Sequence, residues 1–172
     1  GKVKALKESA ALFNFLQENG ISSMQELHAK VTGMQTQYYT LRGEIAATAR
    51  RIDDLEERLS MWKQYADNKP VHQRLASLKP RAREKFHDTH SVELTLYDAA
   101  ARYLDELKVS SEKITPKHWQ AEAERLTTQN NSRYQQMKAM RMDIQAVEKI
   151  RKTADELARS EKSQNQMKEP ER

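Results

Sequence analysis

The chain has 172 residues, of which 37% are hydrophobic and 32% are charged, and its net charge is +5. It contains no cysteine, which excludes disulfides and thiolate metal sites and favours a cytoplasmic location. No apolar run approaches the length of a membrane span, so we expect no membrane insertion. The chain begins with Gly1 and not with methionine, which indicates a fragment excised from a longer protein.

The first predicted element is a helix over residues 4–19. Asn19-Gly20 is expected to end it, because glycine readily takes the left-handed conformation that closes a helix. Ser22 and Ser23 then offer N-caps for the next helix, and a following glutamine or glutamate can complete a capping box.

Residues 23–66 are predicted to form a long helix with one narrow apolar stripe. The spacing of the stripe alternates between three and four residues, which is typical of a helix packed against a partner helix. Its members are Met24, Leu27, Val31, Met34, Tyr38, Leu41, Ile45, Thr48, Ile52, Leu55, Leu59 and Trp62. Pro70 is expected to end the helix, since proline disfavours the helical conformation at the preceding residue.

Residues 67–115 are predicted to form a helical basic insert, with helices over 71–78 and 91–107 and a basic connector between them. Between positions 69 and 87, six cations accompany a single acid, Glu84, so this segment carries a charge equal to that of the whole chain. The cations are Lys69, Arg74, Lys79, Arg81, Arg83 and Lys85. Clustered cations neutralise phosphates, so these six are the predicted DNA-binding residues, with little sequence specificity. The competing interpretation is a solubilising surface on a linker.

Thr115-Pro116 predicts the start of the last helix, over residues 116–160, with a capping hydroxyl followed by proline at the first helical position. Its stripe mirrors that of the first long helix. The members are Trp119, Ala123, Leu126, Asn130, Arg133, Met137, Met140, Ile144, Val147, Arg151, Ala154 and Ala158.

Two long helices of nearly equal length predict an all-α fold, a long antiparallel coiled-coil hairpin. The N-terminal helix would pack at one end of this single elongated domain, over 1–160, and the small helical insert at the other. In this register Trp62 lies near Trp119, and Met24 lies near Ala154 and Ala158. The polar composition of residues 161–172 predicts a disordered tail.

No nucleophile motif, phosphate-binding loop or dinucleotide fingerprint occurs in the sequence. His87 and His90 share a helical spacing but have no third ligand at a metal-site spacing. We therefore predict no catalytic residue, no metal site and no cofactor.

The order of the segments resembles a known family. The segments that carry the similarity are LFNFLQENGISSMQELHAKV, YYTLRGEIAATARRIDDLEERL, KQYADNKPVHQRL, LYDAAARYLDEL and ITPKHWQAEAERLTTQNNSRYQQMKAMRMDIQAVEKI. Together they resemble the C-terminal helical region of relaxases, the mobilisation nucleases of bacterial conjugative and mobilisable elements.

This resemblance implies a role in DNA transfer. In that family an N-terminal domain nicks one strand at the origin of transfer, through a catalytic tyrosine and a histidine-bound metal. The chain has neither that domain's α/β pattern nor its histidine cluster, so no catalytic residue carries over. The resemblance implies instead a non-catalytic part in DNA contact, relaxosome assembly or docking to coupling proteins.

Two alternatives remain open from the sequence. One is a protein-interaction or spacer coiled-coil module with no DNA contact. The other is a homodimer in which the stripe of residues 24–62 pairs between two chains.

Overall fold

The computed structural model describes residues 1–168, and the described residues form five α-helices and contain no strand. The all-α class is thereby confirmed. The helices are α1 (Lys2–Glu18), α2 (Met24–Ser77), α3 (Pro80–Thr89), α4 (Ser91–Val109) and α5 (Pro116–Lys168). None of the described helices has an apolar stretch that could cross a membrane.

Contacts within the chain divide it into two compact units. Unit 1 comprises Gly1–Ile45 together with Ser132–Arg172, and unit 2 comprises Ala46–Asn131. The sequence predicts a single domain over residues 1–160, and the division into two units does not test that prediction. The predicted disorder of residues 169–172 lies outside the described residues.

The turn between α1 and α2 forms as its residues predict. Gly20 has a φ of +61°, and the N–H of Ile21 donates to the carbonyl of Leu16 at 2.9 Å, which closes α1 in a Schellman-type turn. At the start of α2 the N–H of Glu26 donates to Ser23 Oγ at 3.1 Å. The Glu26 carboxylate accepts from the N–H of Ser22 at 2.7 Å, so the predicted caps are confirmed.

The core of unit 1 joins three helices. Leu12 of α1, Leu27 of α2 and Ala154 of α5 are buried together, and Met24 packs against them as the predicted register requires. The pairs His28–Asp155 (3.1 Å) and Gln35–Glu148 (2.9 Å) join α2 to α5 in this unit. The other predicted neighbour of Met24 is Ala158, which is exposed.

The core of unit 2 is built around the two tryptophans. Trp119 is buried with Leu55 and Leu104, and Trp62 packs against the same cluster. Arg58 lies with its guanidinium carbon 5.8 Å from the centre of the Trp119 ring and pairs with Glu112. A cation on a ring face and a carboxylate together compensate for the near-complete burial of this arginine.

Pro70 does not end α2, which continues to Ser77 and contains the proline. The prediction that the helix stops near Ala66 is therefore wrong. Aromatic packing on both sides of the proline explains the continuity. Tyr65 and His72 both stack on Tyr97 of α4, with ring centroids 5.0 Å and 4.1 Å away. These contacts stabilise α2 on both sides of Pro70, which has no backbone N–H to donate.

Two further boundaries differ from the prediction. The basic connector over 81–88 is part of a complete helix, α3, which begins with Pro80 at its first turn. Residues 161–168 continue α5 although a disordered tail is predicted there, and 161–167 are exposed. Glutamate, lysine, glutamine and methionine are frequent in this stretch and all favour a helix, so local propensity extends it beyond the packed part.

We expect Pro70→Ala to stabilise the protein by about 1–3 kcal/mol, because alanine restores the missing hydrogen-bond donor and removes the ring clash inside α2. Thermal unfolding followed by circular dichroism measures the change. Pro80→Ala is the matched control, since Pro80 lies at the first position of α3, where no intrahelical donor is needed. A loss of stability in Pro70→Ala would contradict the prediction.

A second prediction concerns Arg51 and Glu122, which pair through two hydrogen bonds of 2.9 Å and 3.1 Å in unit 2. The hydrogen bond from Arg51 lowers the pKa of Glu122 below its ordinary value of 4.5, although desolvation opposes the shift. A lowered folded-state pKa contributes stability above the unfolded-state pKa, and this is lost as the pH falls through the folded-state value. We therefore expect Glu122→Gln to reduce stability at pH 7 and to flatten its decline below about pH 4.5.

Urea unfolding across that pH range tests this second prediction. Glu124→Gln is the control, because Glu124 accepts a hydrogen bond from the neutral Gln120 on the same helix. An unchanged acid dependence in Glu122→Gln would show that the pair does not contribute.

Candidate nucleic-acid interface

The corner between α2 and α3 is held by one of the six predicted DNA-binding residues. Arg83 Nε donates to the carbonyl of Leu78 at 2.7 Å, and its Nη2 donates to the carbonyl of Ala76 at 3.1 Å. The last carbonyls of a helix have no partner within the helix and carry partial negative charge, so a guanidinium is well suited to this position. Arg83 therefore has a structural role at this corner.

Three of the other cations line one concavity between the end of α2 and α3. Arg74 comes from the last turn of α2, and Arg81 and Lys85 lie one helical turn apart on α3. The concavity has a volume of about 330 Å³. Its other lining residues are Leu78, Ala82, Phe86, Thr89 and His90. We call this concavity the basic groove.

The cations of the basic groove are not neutralised by the protein. Arg74, Arg81 and Lys85 are exposed, and none of them forms an ion pair within residues 1–168. By contrast, Arg51 pairs with Glu122 of another helix, and Arg151 pairs with Glu148 and Asp155 of its own helix. An unneutralised cationic cluster gives a local positive potential and attracts an anionic ligand.

The two remaining predicted DNA-binding residues, Lys69 and Lys79, do not line the basic groove. Lys69 Nζ lies 5.7 Å from the centre of the Tyr65 ring, and Lys79 is the N-cap of α3 with an extended backbone. Both are exposed. The six cations are therefore close together in the sequence, but the structure places three of them in the lining of the basic groove.

A second concavity, of about 560 Å³, holds Arg83 together with Glu84, the single acid of the segment. His72 and His87 also line it. The capping role of Arg83 and the neighbouring carboxylate make this second concavity a weaker anion site than the basic groove. No group of three or more metal-ligating side chains occurs within residues 1–168.

The sequence prediction did not include the aromatic side of the basic groove. Phe86 and His90 lie one turn apart on the same face, with ring centroids 4.3 Å apart and an interplanar angle of 35°. The signal was present in the spacing of Ala82, Phe86 and His90, which are four residues apart. This spacing places the three residues along one face because the stretch predicted to be a connector forms the helix α3.

Comparison of the chain with protein-family models, with curated proteins and with solved structures finds no match. The resemblance to relaxases therefore stays a prediction from the sequence. The basic groove and its chemistry are the observations from which a function can be argued.

The capping role of Arg83 predicts that Arg83→Ala destabilises the protein by about 1–2 kcal/mol, since two helix-terminal carbonyls would be left without a charged donor. Arg81→Ala is the matched control, because Arg81 is exposed and forms no ion pair within the described chain, and we expect a change below about 0.5 kcal/mol. Chemical denaturation of both variants measures the difference. Equal stability of the two variants would contradict the structural role of Arg83.

Proposed function

We propose that this chain is a non-catalytic helical domain that binds DNA through the phosphates, with Arg74, Arg81 and Lys85 as the principal contacts. The carrying observation is that these three exposed cations share one concavity and have no acidic partner within residues 1–168. Phosphate contacts by lysine and arginine release counterions from DNA, which makes binding strong at low salt and independent of sequence.

Lys69 and Lys79 have a secondary part in the proposal. They lie on the segment that ends α2 and caps α3, where they add long-range attraction for an anionic polymer. In this proposal Arg83 stabilises the corner between α2 and α3, because its guanidinium already donates to two carbonyls.

We further propose that the domain belongs to a relaxase of a conjugative or mobilisable element. In that setting it assists relaxosome assembly or docking to coupling proteins at the origin of transfer, in the cytoplasm. The support is the segment order of the sequence together with the basic groove. The proposed framework is the antiparallel coiled-coil hairpin, supported in unit 1 by the His28–Asp155 and Gln35–Glu148 pairs.

The proposal predicts that the triple charge reversal of Arg74, Arg81 and Lys85 to glutamate lowers DNA affinity at low salt by about 10- to 100-fold. For duplex DNA, the slope of log K against log salt concentration should become shallower by about 0.9 for each phosphate that the variant no longer neutralises. Fluorescence anisotropy with a labelled duplex, titrated at several salt concentrations, measures both quantities.

The matched control for this charge reversal is the simultaneous change of Lys2, Lys4 and Lys7 to glutamate. These three lysines are exposed on α1 in unit 1, and the change in net charge is identical. If both triple variants show the same decrease in affinity, general charge explains binding and the basic groove does not. Absence of salt-dependent DNA binding in the parent protein would favour the protein-interaction or spacer alternative.

A further inference from the structure

The face of α3 that lines the basic groove has two parallel rows of side chains. Arg81, Lys85 and Thr89 form one row, and Ala82 and Phe86 form the other, which continues to His90, the C-cap residue of α3. Members of a row are four residues apart, so they follow one another along the helix at about 6 Å. One row is therefore largely cationic, while the adjacent row ends in two aromatic rings.

The aromatic row is not explained by packing of the protein core. Helix α3 has no buried residue, and both Phe86 and His90 retain partial solvent exposure. The tryptophan at the centre of unit 2 differs, since Trp119 is only 4% exposed. Phe86 and His90 thus offer ring surface beside unneutralised cations, which a ligand in the groove can cover.

The aromatic group around Tyr97 in unit 2 differs from the Phe86–His90 pair in how its central ring is covered. Tyr97 stacks on both Tyr65 and His72, so the protein itself supplies the stacking partners of its ring. The rings of Phe86 and His90 contact each other and border an open concavity. His90 is further oriented by Glu93, whose Oε2 lies 3.1 Å from its Nδ1.

We infer that the basic groove is a binding site for single-stranded DNA, in which an unstacked base packs on the Phe86–His90 rings. The backbone phosphates then lie against Arg74, Arg81 and Lys85. This inference rests on the proposed DNA-binding function and adds the form of DNA that is bound. Bases in a duplex are stacked within the helix and present no free face, whereas those of a single strand stack readily on aromatic side chains.

The test compares a labelled single strand without self-complementarity, about 16 nucleotides long, with the duplex of the same sequence. We expect the protein to bind the single strand more tightly than the duplex at the same ionic strength. Phe86→Leu keeps an apolar side chain but removes the ring, and it should weaken single-strand binding about tenfold. Duplex binding should change by less than about twofold, because phosphate contacts alone carry it. Phe86→Tyr keeps the ring and should retain both affinities.

Preference for the duplex, or an equal decrease of both affinities in Phe86→Leu, would overturn the inference. Neither result affects the proposed function, which is tested separately by the charge reversal at Arg74, Arg81 and Lys85 and by its matched control.

A second measurement uses the unaltered protein and does not depend on how the variants fold. Ultraviolet crosslinking to a thymine-rich single strand, followed by tryptic digestion and mass spectrometry, identifies the contacted peptide. The expected crosslink lies on the peptide that begins at Phe86, after cleavage at Lys85. Crosslinks confined to other peptides would overturn the inference.

Discussion

The apolar stripe of α2 is the constraint on which each unit depends. It supplies Leu27 to the core of unit 1 and Leu55 to that of unit 2, and both leucines are fully buried. Burial of a leucine side chain contributes about 1.5–3 kcal/mol, so the stripe provides a large part of the free energy that orders α2. Each core joins α2 to two other helices, which are α1 and α5 in unit 1 and α4 and α5 in unit 2. The stripe contributes Leu27, Val31, Leu41, Ile45 and Leu55 to the buried hydrophobic residues of the described chain.

Charge is arranged in two different ways along the chain. Some arginines pair with carboxylates, as Arg51 does with Glu122 of another helix and Arg151 with Glu148 and Asp155 of its own helix. In the basic groove the cations have no acidic partner within the described residues, and the helix that carries two of them has no buried residue. Paired charges offset one another, whereas a cluster of unpaired cations gives a local positive potential.

The geometry of the groove depends on the continuation of α2 through Pro70 and on the hydrogen bonds of Arg83 to the end of α2. Stacking of Tyr65 and His72 on Tyr97 keeps α2 helical to Ser77, which places Arg74 on its last turn. The two hydrogen bonds of Arg83 then fix the start of α3 against the end of α2. Without either feature, Arg74 would not share a concavity with the cations of α3.

The sequence by itself determined the helix ends that depend on local contacts. The Asn19-Gly20 stop, the Ser23 cap and the start at Pro116 form as predicted, because each rests on hydrogen bonds or backbone preferences within about four residues. The apolar spacing of α2 also indicated that Met24 and Trp62 belong to the packed face of the helix, and each packs against a core cluster. Only the tertiary structure decided that α2 continues through Pro70, because the stacking on Tyr97 outweighs the local preference of proline for a helix break. The same holds for the six cations: the sequence shows that they cluster along the chain, but their division between the basic groove and a helix cap arises where α2 and α3 meet.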